Sequence, residues 1–438
     1  VSEIAKEKII KSFVSLSLGQ YGGMFCNITL SIWLTRILSP KEFGMLAIAL
    51  FYFIFFNWVV EWGWEQGFMA HKEIPLEKAA STHFWIRCIL GLVPLITFGI
   101  GYIFFHHYSF MQHGDLFLPL AGIYWMEKLG LTYRTILERT YRLDMLAGLE
   151  FITTVGSYIV AIIAAFHGFG VYSLVLQRLV EKGLISLAYF FASPWKIGFD
   201  FDLAVAKLFF KTYGLPTWLG GIFSLTIYDF MPFLIGMLSN TTQAGLYAKA
   251  FSMATFPVML TGIFARLTVP LYTRYQFDRE EMKKIFVNAQ GIKMILLIPT
   301  QLAMGLFAHL WIPKLFGAQW LPMIPIYQMM TVYGIARAFF DDVPAIYLYG
   351  LRQPWVLTKS QILQSCIILL LGPLLVLKLQ AFGGACAISA MLTIAAVLFW
   401  RDVFFDLECG LRDFVIFFVM LPRTVKSSIH VLISKTAR

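Results

Sequence analysis

The sequence predicts an all-α polytopic membrane protein of about twelve transmembrane helices, six in each of two halves, and three observations carry that prediction. Of the 438 residues, 59% are hydrophobic and only 14% charged, at a mean hydropathy of +0.72. A soluble domain carries about 25% charge. Apolar runs of roughly twenty residues, enough to cross the hydrocarbon core, recur from end to end with no soluble domain between them. The third observation is an internal repeat. Leu38-Ser-Pro-Lys-Glu-Phe-Gly-Met-Leu-Ala-Ile-Ala49 returns as Leu238-Ser-Asn-Thr-Thr-Gln-Ala-Gly-Leu-Tyr-Ala-Lys-Ala250, with Gly44, Ala47 and Ala49 matched by Gly245, Ala248 and Ala250 at one offset. Each copy joins two apolar segments through helix-start chemistry: Ser39 before Pro40, and Asn240 before two threonines.

In order, the spans expected in the first half are Ser12–Leu34, Phe43–Trp62, Phe84–Phe105, Leu116–Leu137, Phe151–Phe166 and Val171–Ala192. Those of the second are Leu208–Leu238, Ala244–Pro270, Ile285–Ile312, Met323–Tyr349, Ser360–Leu377 and Gly383–Val403. This gives a first bundle over residues 1–192, a linker over 193–207, a second bundle over 208–403 and an amphipathic tail over 404–438. Lys6, Lys8 and Lys11 precede a stretch of full-span length without a small-residue cleavage site, which predicts a retained first span. An even number of spans in the first half returns the chain to its starting side, so the halves run in parallel.

A net charge of +10 raises the question of nucleic acid. The cations sit at segment ends, as the positive-inside rule requires of cytoplasmic loops, so no nucleic-acid partner is expected and both termini are placed in the cytoplasm. The five cysteines show no paired spacing, which predicts neither a disulfide framework nor a zinc site. Trp58, Trp62 and Trp64, at the inner end of the second span, read as an interfacial belt. Every outer loop is short, the longest running from His106 to Asp115, so the chemistry is expected between helices.

A charge at the centre of a span costs about 2.5–3.5 kcal/mol on insertion scales and faces a bundle interior or a hydrated cavity. Glu127 and Lys128 lie midway along the fourth span. Arg178, Glu181 and Lys182 share one face of the sixth. Asp229 lies inside the seventh, Lys249 in the eighth, and Arg337 with Asp341 in the tenth. The bland reading pairs neighbours, Glu127 with Lys128, Glu181 with Lys182 and Arg337 with Asp341, as neutral packing units. The functional reading gathers Lys128, Arg178, Lys249 and Arg337 as a cationic site for an anionic substrate, diphosphate included, with Asp229, Glu127, Asp341 and Glu61 as ion-coupling candidates. No catalytic or metal-binding residue is expected, and no cofactor beyond coupling to a proton or sodium gradient. No Walker-type phosphate loop is present in the sequence. Asp200-Phe-Asp202 is like the two-acid metal motif of some sugar transferases but lacks a nucleotide-sugar domain around it.

Thr35-Arg-Ile-Leu-Ser-Pro-Lys-Glu-Phe-Gly44 resembles the hairpin motif of bacterial polysaccharide transporters, the Wzx-type O-antigen and exopolysaccharide flippases of the multidrug/oligosaccharidyl-lipid/polysaccharide (MOP) superfamily. Ala244-Gly-Leu-Tyr-Ala-Lys-Ala250 followed by Pro257 is similar to that family's second-half motif, and Glu61-Trp-Gly63 to its Asp-x-Gly. The resemblance implies two six-helix bundles related by a pseudo-twofold axis around a central cationic cavity. It implies inner-membrane transfer of an undecaprenyl-diphosphate-linked oligosaccharide from the cytoplasmic to the periplasmic leaflet by alternating access. Its partners are then the lipid-linked substrate, membrane lipids and a polysaccharide polymerase or export complex. The alternatives are a drug or small-molecule antiporter of the same superfamily, expected to show an acidic pocket, and a membrane-embedded polysaccharide-assembly enzyme.

Overall fold

The computed structural model describes residues 26–71, 73–105, 114–140, 142–340, 343–351 and 353–419. The beginning of the first expected span, most of the outer loop around His106, Asp341 and the tail beyond residue 419 lie outside the described residues. Among the described residues every regular element is helical.

The first half begins with α1 (residues 26–37) and α2 (Pro40–Val60). The start of α2 is built by local chemistry: Pro40 supplies a preset φ at the first helical position, and the Glu42 carboxylate accepts the Ser39 backbone N–H at 2.6 Å and the Ser39 hydroxyl at 2.8 Å. At its C-terminal end α2 turns into α3 (Trp64–Ala70) through Gly63, whose φ of +68° is left-handed. A Cβ there would also stand 2.6 Å from the Tyr213 Cβ, so glycine is required twice over. The third span is α4 (Leu76–Gly91) with α5 (Val93–Phe105). Then follow α6 (Gly114–Arg139), α7 (Leu143–Phe166) and α8 (Val171–Ala192), the last matching its expected bounds.

The seventh span is segmented into α9 (Leu203–Phe209), a π turn over Phe210–Gly214, α10 (Leu215–Tyr228) and α11 (Phe230–Leu238). It bends by 50° at Asp229. Pro232 explains the bend, since it has no N–H for the Tyr228 carbonyl and its ring crowds that carbonyl. The eighth consists of α12 (Thr241–Thr255) and α13 (Thr261–Arg274), parted by a 3₁₀ turn that starts at Pro257. The ninth is α14 (Arg279–Leu306) with α15 (Ala308–Phe316), and the tenth α16 (Met323–Phe340) with α17 (Val343–Ala345) and a π turn over Ile346–Gly350. The eleventh and twelfth expected spans are the two arms of α18 (Pro354–Asp406), folded back at Gln380, where φ is +52°. Residues 411–419 form α19.

Pro40–Val60, Leu76–Ile100, Asp144–Phe166, Arg279–Leu306 and Trp355–Asp406 are each long and apolar enough to cross a membrane, and the bent pair α10–α11 makes a sixth. Helix α8 falls short of that apolarity because it carries Arg178, Glu181 and Lys182, the charges that make the site below.

The chain divides into two compact units, Val1–Gly245 with Lys314–Gln319, and Leu246–Pro313 with Trp320–Arg438. In the first unit the two repeat copies pack on each other. A Cβ on Gly44 would stand 1.7 Å from the Thr241 carbonyl oxygen, and one on Gly245 1.8 Å from that of Pro40, so the N-terminal turns of α2 and α12 cross backbone to backbone. Gln319 seals the end of α1 by donating to the carbonyls of Arg36 at 3.3 Å and Leu38 at 3.1 Å. Along α2, Phe51 stacks on Phe233 at 4.5 Å and the Trp58 ring lies against Gly221, and just past its end Trp62 stacks on Trp218 at 5.0 Å. The tryptophans expected as an interfacial belt therefore pack against the seventh span. The missing side chain of Gly221 is what lets the Trp58 ring approach.

The first unit has two apolar cores. One gathers Leu34, Leu46, Phe53, Leu120, Tyr124 and Leu174, the other Phe68, Phe84, Ile136, Tyr189, Trp195 and Phe209. On α2, α4 and α6 a layer of polar side chains lies between them.

Candidate functional site

That polar layer follows from helical register. Asn57 lies in the last turn of α2, and Glu61, four residues on, is its C-cap. On α4, His83, Arg87 and Gly91 occupy successive turns, as do Thr132 and Lys128 on α6.

Its inner part is closed. Arg87, 1% exposed, donates both terminal nitrogens to the Glu61 carboxylate, one of them at 3.0 Å to Oε1, and stands 4.0 Å from Glu65. Its Nε donates to His83 Nε2 at 3.3 Å, which leaves His83 Nδ1 as donor to Thr132 Oγ1 at 2.8 Å. The His83 ring stacks on Phe68, whose other partner is the Arg139 guanidinium. Cation, anion and imidazole thus have their hydrogen-bonding groups engaged.

The outer part opens into a cavity of about 340 Å³ lined by Asn57, Tyr124, Glu127, Lys128, Arg178 and Lys182 among apolar residues of α2 and α6. Gly91 lets α4 approach the stem of Lys128: a Cβ there would lie 3.2 Å from the Lys128 Cβ. The Lys128 ammonium donates to Asn57 Oδ1 and lies 5.1 Å from the Tyr124 ring centroid. Among the described residues it makes no ion pair. Glu127 turns the other way and pairs with Lys182 of α8 at 3.1 Å. Glu181 stands 3.8 Å from both Arg178 and Lys182 and accepts from Gln177 at 2.8 Å. Lys128, Arg178 and Lys182 against Glu127 and Glu181 leave one net positive charge. Inside a low-dielectric wall, one uncompensated cation is a strong attractor for anions.

Of the two readings, the neutral pairing of Glu127 with Lys128 is the one the structure removes. Adjacent residues point about 100° apart on a helix, so Glu127 reaches α8 while Lys128 reaches α2. Of the other expected residues, Glu61 belongs to the closed cluster. Asp229, half-buried, sits at the bend between α10 and α11, is not among the residues lining this cavity, and makes no ion pair among the described residues. Lys249, 5% exposed, lies in the second unit on α12, and Arg337 on α16 donates to the Tyr333 hydroxyl at 3.1 Å. Asp341 lies outside the described residues. Asn57, His83, Arg87 and Thr132 are the polar residues that sequence reasoning missed. Arg87 carried the signal, a lone cation inside the apolar run from Phe84 to Phe105.

Asp202 is a helix cap. Its Oδ1 accepts the Ala204 and Val205 N–H groups at 2.6 and 3.4 Å, and its other oxygen pairs with Lys78. The two-acid metal reading of Asp200 and Asp202 has no support in that geometry. Among the described residues no group of three or more His, Cys, Asp or Glu is placed to hold a metal ion.

Comparison with solved structures gives the class of fold. The chain superposes on an inward-facing multidrug resistance MATE family transporter of the MOP superfamily with a TM-score of 0.69 at 15% identity, covering 91% of this chain and 98% of that one. It superposes on the lipid II flippase MurJ, in an inward closed conformation, at 0.66 and 16%, covering 92% and 89%. The fold is that of the MOP superfamily. Sequence then gives the family: the model of the polysaccharide biosynthesis proteins matches residues 33–325, and the chain belongs to that family. It is similar to the teichuronic acid biosynthesis protein TuaB of Bacillus subtilis strain 168, 24% identical over 66% of this chain and 64% of TuaB. It is likewise similar to the lipopolysaccharide biosynthesis protein WzxC of Escherichia coli K12, 20% identical over 73% of this chain and 65% of WzxC. The chain thus spans about two thirds of the length of these curated relatives.

Proposed function

We propose that the protein is a flippase that moves an undecaprenyl-diphosphate-linked oligosaccharide, a repeat unit of an O-antigen or exopolysaccharide, from the cytoplasmic to the periplasmic leaflet of a bacterial inner membrane by alternating access. The observation that carries the reading is the cavity in the first unit, where the Lys128 ammonium faces open space without a carboxylate partner. Membership of the polysaccharide biosynthesis family and a fold shared with the lipid II flippase MurJ support it. The antiporter alternative calls for an acid-dominated pocket, whereas cations outnumber acids among these lining residues. In this reading both termini are cytoplasmic and Arg178 assists Lys128; Lys249 and Arg337 are the candidate cations of the second unit.

Coupling to a proton or sodium gradient falls to Asp229 first. The carboxylates of Glu61 and Glu127 are committed to Arg87 and Lys182, while Asp229 sits at a helix break able to bend. Asp229→Asn is expected to give export that no longer changes when the gradient is collapsed; unaltered gradient dependence removes the assignment.

The test of the function is the leaflet location of the polyprenyl-linked intermediate in cells lacking the protein. A completed repeat unit held on the cytoplasmic face is expected. A unit that reaches the periplasmic face and stalls there overturns the reading in favour of an assembly enzyme or partner.

A further inference from the structure

We infer that Asn57 is a specificity-determining residue of the cavity: it holds the Lys128 ammonium by its carbonyl oxygen and turns its amide N–H groups toward the same anionic oxygens that Lys128 attracts. The inference rests on the flippase reading for its cargo, but not for its geometry.

Lys128 has only donors, so the atom of Asn57 that meets it must be Oδ1, and this fixes which way the amide points. The Tyr124 hydroxyl donates to the same oxygen at 3.4 Å. With Oδ1 occupied from both sides, Nδ2 and its two hydrogens remain, and among the described residues they donate to nothing. Asn57 lines the cavity beside Lys128 and Tyr124, so these hydrogens have the cavity to serve. The ammonium spends one hydrogen on Asn57 and keeps two. Lys128 and Asn57 together present up to four N–H groups from two different helices, α6 and α2.

The choice of residue type matters more than its size. Aspartate has the same shape as asparagine, but at position 57 it would supply Lys128 with the carboxylate it lacks. It would also replace two donors by an acceptor and cancel the net positive charge. An asparagine in this place keeps the lysine oriented while leaving its charge free for the cargo. The class of ligand group is a phosphate or carboxylate oxygen, and the residue acts as a filter against neutral cargo.

The experiment compares Asn57→Asp and Asn57→Ala in the purified full-length chain, with inorganic diphosphate as the probe and ligand-induced thermal stabilisation as the readout. Loss of the neutral donors in Asn57→Ala is expected to weaken diphosphate binding by about threefold to tenfold. Asn57→Asp is expected to weaken it by roughly a hundredfold, through lost donors and added like charge. The order is the diagnosis, because a purely structural role punishes truncation more than an isosteric change. Binding by Asn57→Asp as good as or better than that by Asn57→Ala overturns the inference, and so does the absence of diphosphate binding by the unaltered protein. Melting temperatures without ligand show that both variants are folded. Export in the deletion strain tests the flippase reading separately, so one can fail while the other stands.

Discussion

At the end of α2, four residues separate Asn57 from the C-cap Glu61, and the two residues anchor charged clusters built on opposite rules. Around Glu61 every strong group is matched: Arg87 has its carboxylate, His83 has a donor on one nitrogen and an acceptor on the other, and α3 closes over them with Phe68. Around Asn57 the ledger is left open, with an ammonium held by a neutral amide and three cations facing two acids beside empty volume. A saturated buried network is a fastener, because any rearrangement must desolvate a charge. An unsaturated one is a receptor, because only a ligand completes it. In the proposed reading, buried charge alone does not mark function in this chain; the state of satisfaction does.

The sharpest way to break that comparison is Arg87→Met. It leaves the Glu61 carboxylate buried without its cation, which costs about 3–5 kcal/mol in buried pairs of this kind. Little folded protein is expected in the membrane fraction. Removing both partners, with Glu61→Gln beside Arg87→Met, is expected to recover much of it, since the uncompensated charge is gone. Wild-type accumulation of the single variant would show that the inner cluster is no fastener. Lys128→Gln tests the other side. The ammonium has no carboxylate to abandon, so protein levels are expected to stay near wild type while export of the repeat unit falls by about tenfold to a hundredfold, the range set by one charge-assisted hydrogen bond. Full export by this variant removes Lys128 from the site.

A smaller change sharpens the comparison. Glu127→Gln releases Lys182 from its 3.1 Å pair and raises the charge of the cavity by one. Tighter binding of inorganic diphosphate, by about threefold to tenfold, is expected, together with a steeper loss of binding as salt is added. Weaker binding would mean that Glu127 orients Lys182 for the ligand rather than restraining it.

Helix order was legible in the sequence because membrane thickness sets the length of an apolar run, and the bounds of α8 were found to the residue. The site was legible only in part. Lys128 and Arg178 stood out as charges deep in apolar helices, and both line the cavity. Partners could not be read, because they depend on which helix faces which: Glu127 reaches Lys182 on α8 and Lys128 reaches Asn57 on α2. The repeat glycines show the same limit. Gly44 and Gly245 were visible as matched letters, but their reciprocal backbone contact is a property of two helices crossing and has no trace in either copy alone. Segmentation at Pro232 and Pro257 was not read, since the seventh and eighth spans were expected as unbroken Leu208–Leu238 and Ala244–Pro270 although proline causes both breaks. The break at Gln380 is a tight turn without proline and was visible only as a dip between two apolar runs.

The smallest expected effect concerns Asp202, which ties the segment before α9 to α4. The hydrogen bond from Lys78 and the Ala204 N–H hold its carboxyl below the usual carboxylate range. A carboxylate whose pKa is lower in the folded chain than in the unfolded one stabilises the fold fully above the unfolded value, and that contribution is lost as pH falls through the folded one. Asn is a good cap but cannot pair with Lys78, so Asp202→Asn isolates the charged part of the interaction. The melting temperature of the wild type is expected to exceed that of Asp202→Asn by a small, constant margin above about pH 5, and the margin should shrink below the unfolded pKa of about 3.9. Added salt should shrink it too, since the pair is open to solvent. A margin that grew with acidity would reverse the sign. It would mean that the aspartate is tolerated at its helix cap only when protonated, and that Lys78 contributes nothing to holding the linker.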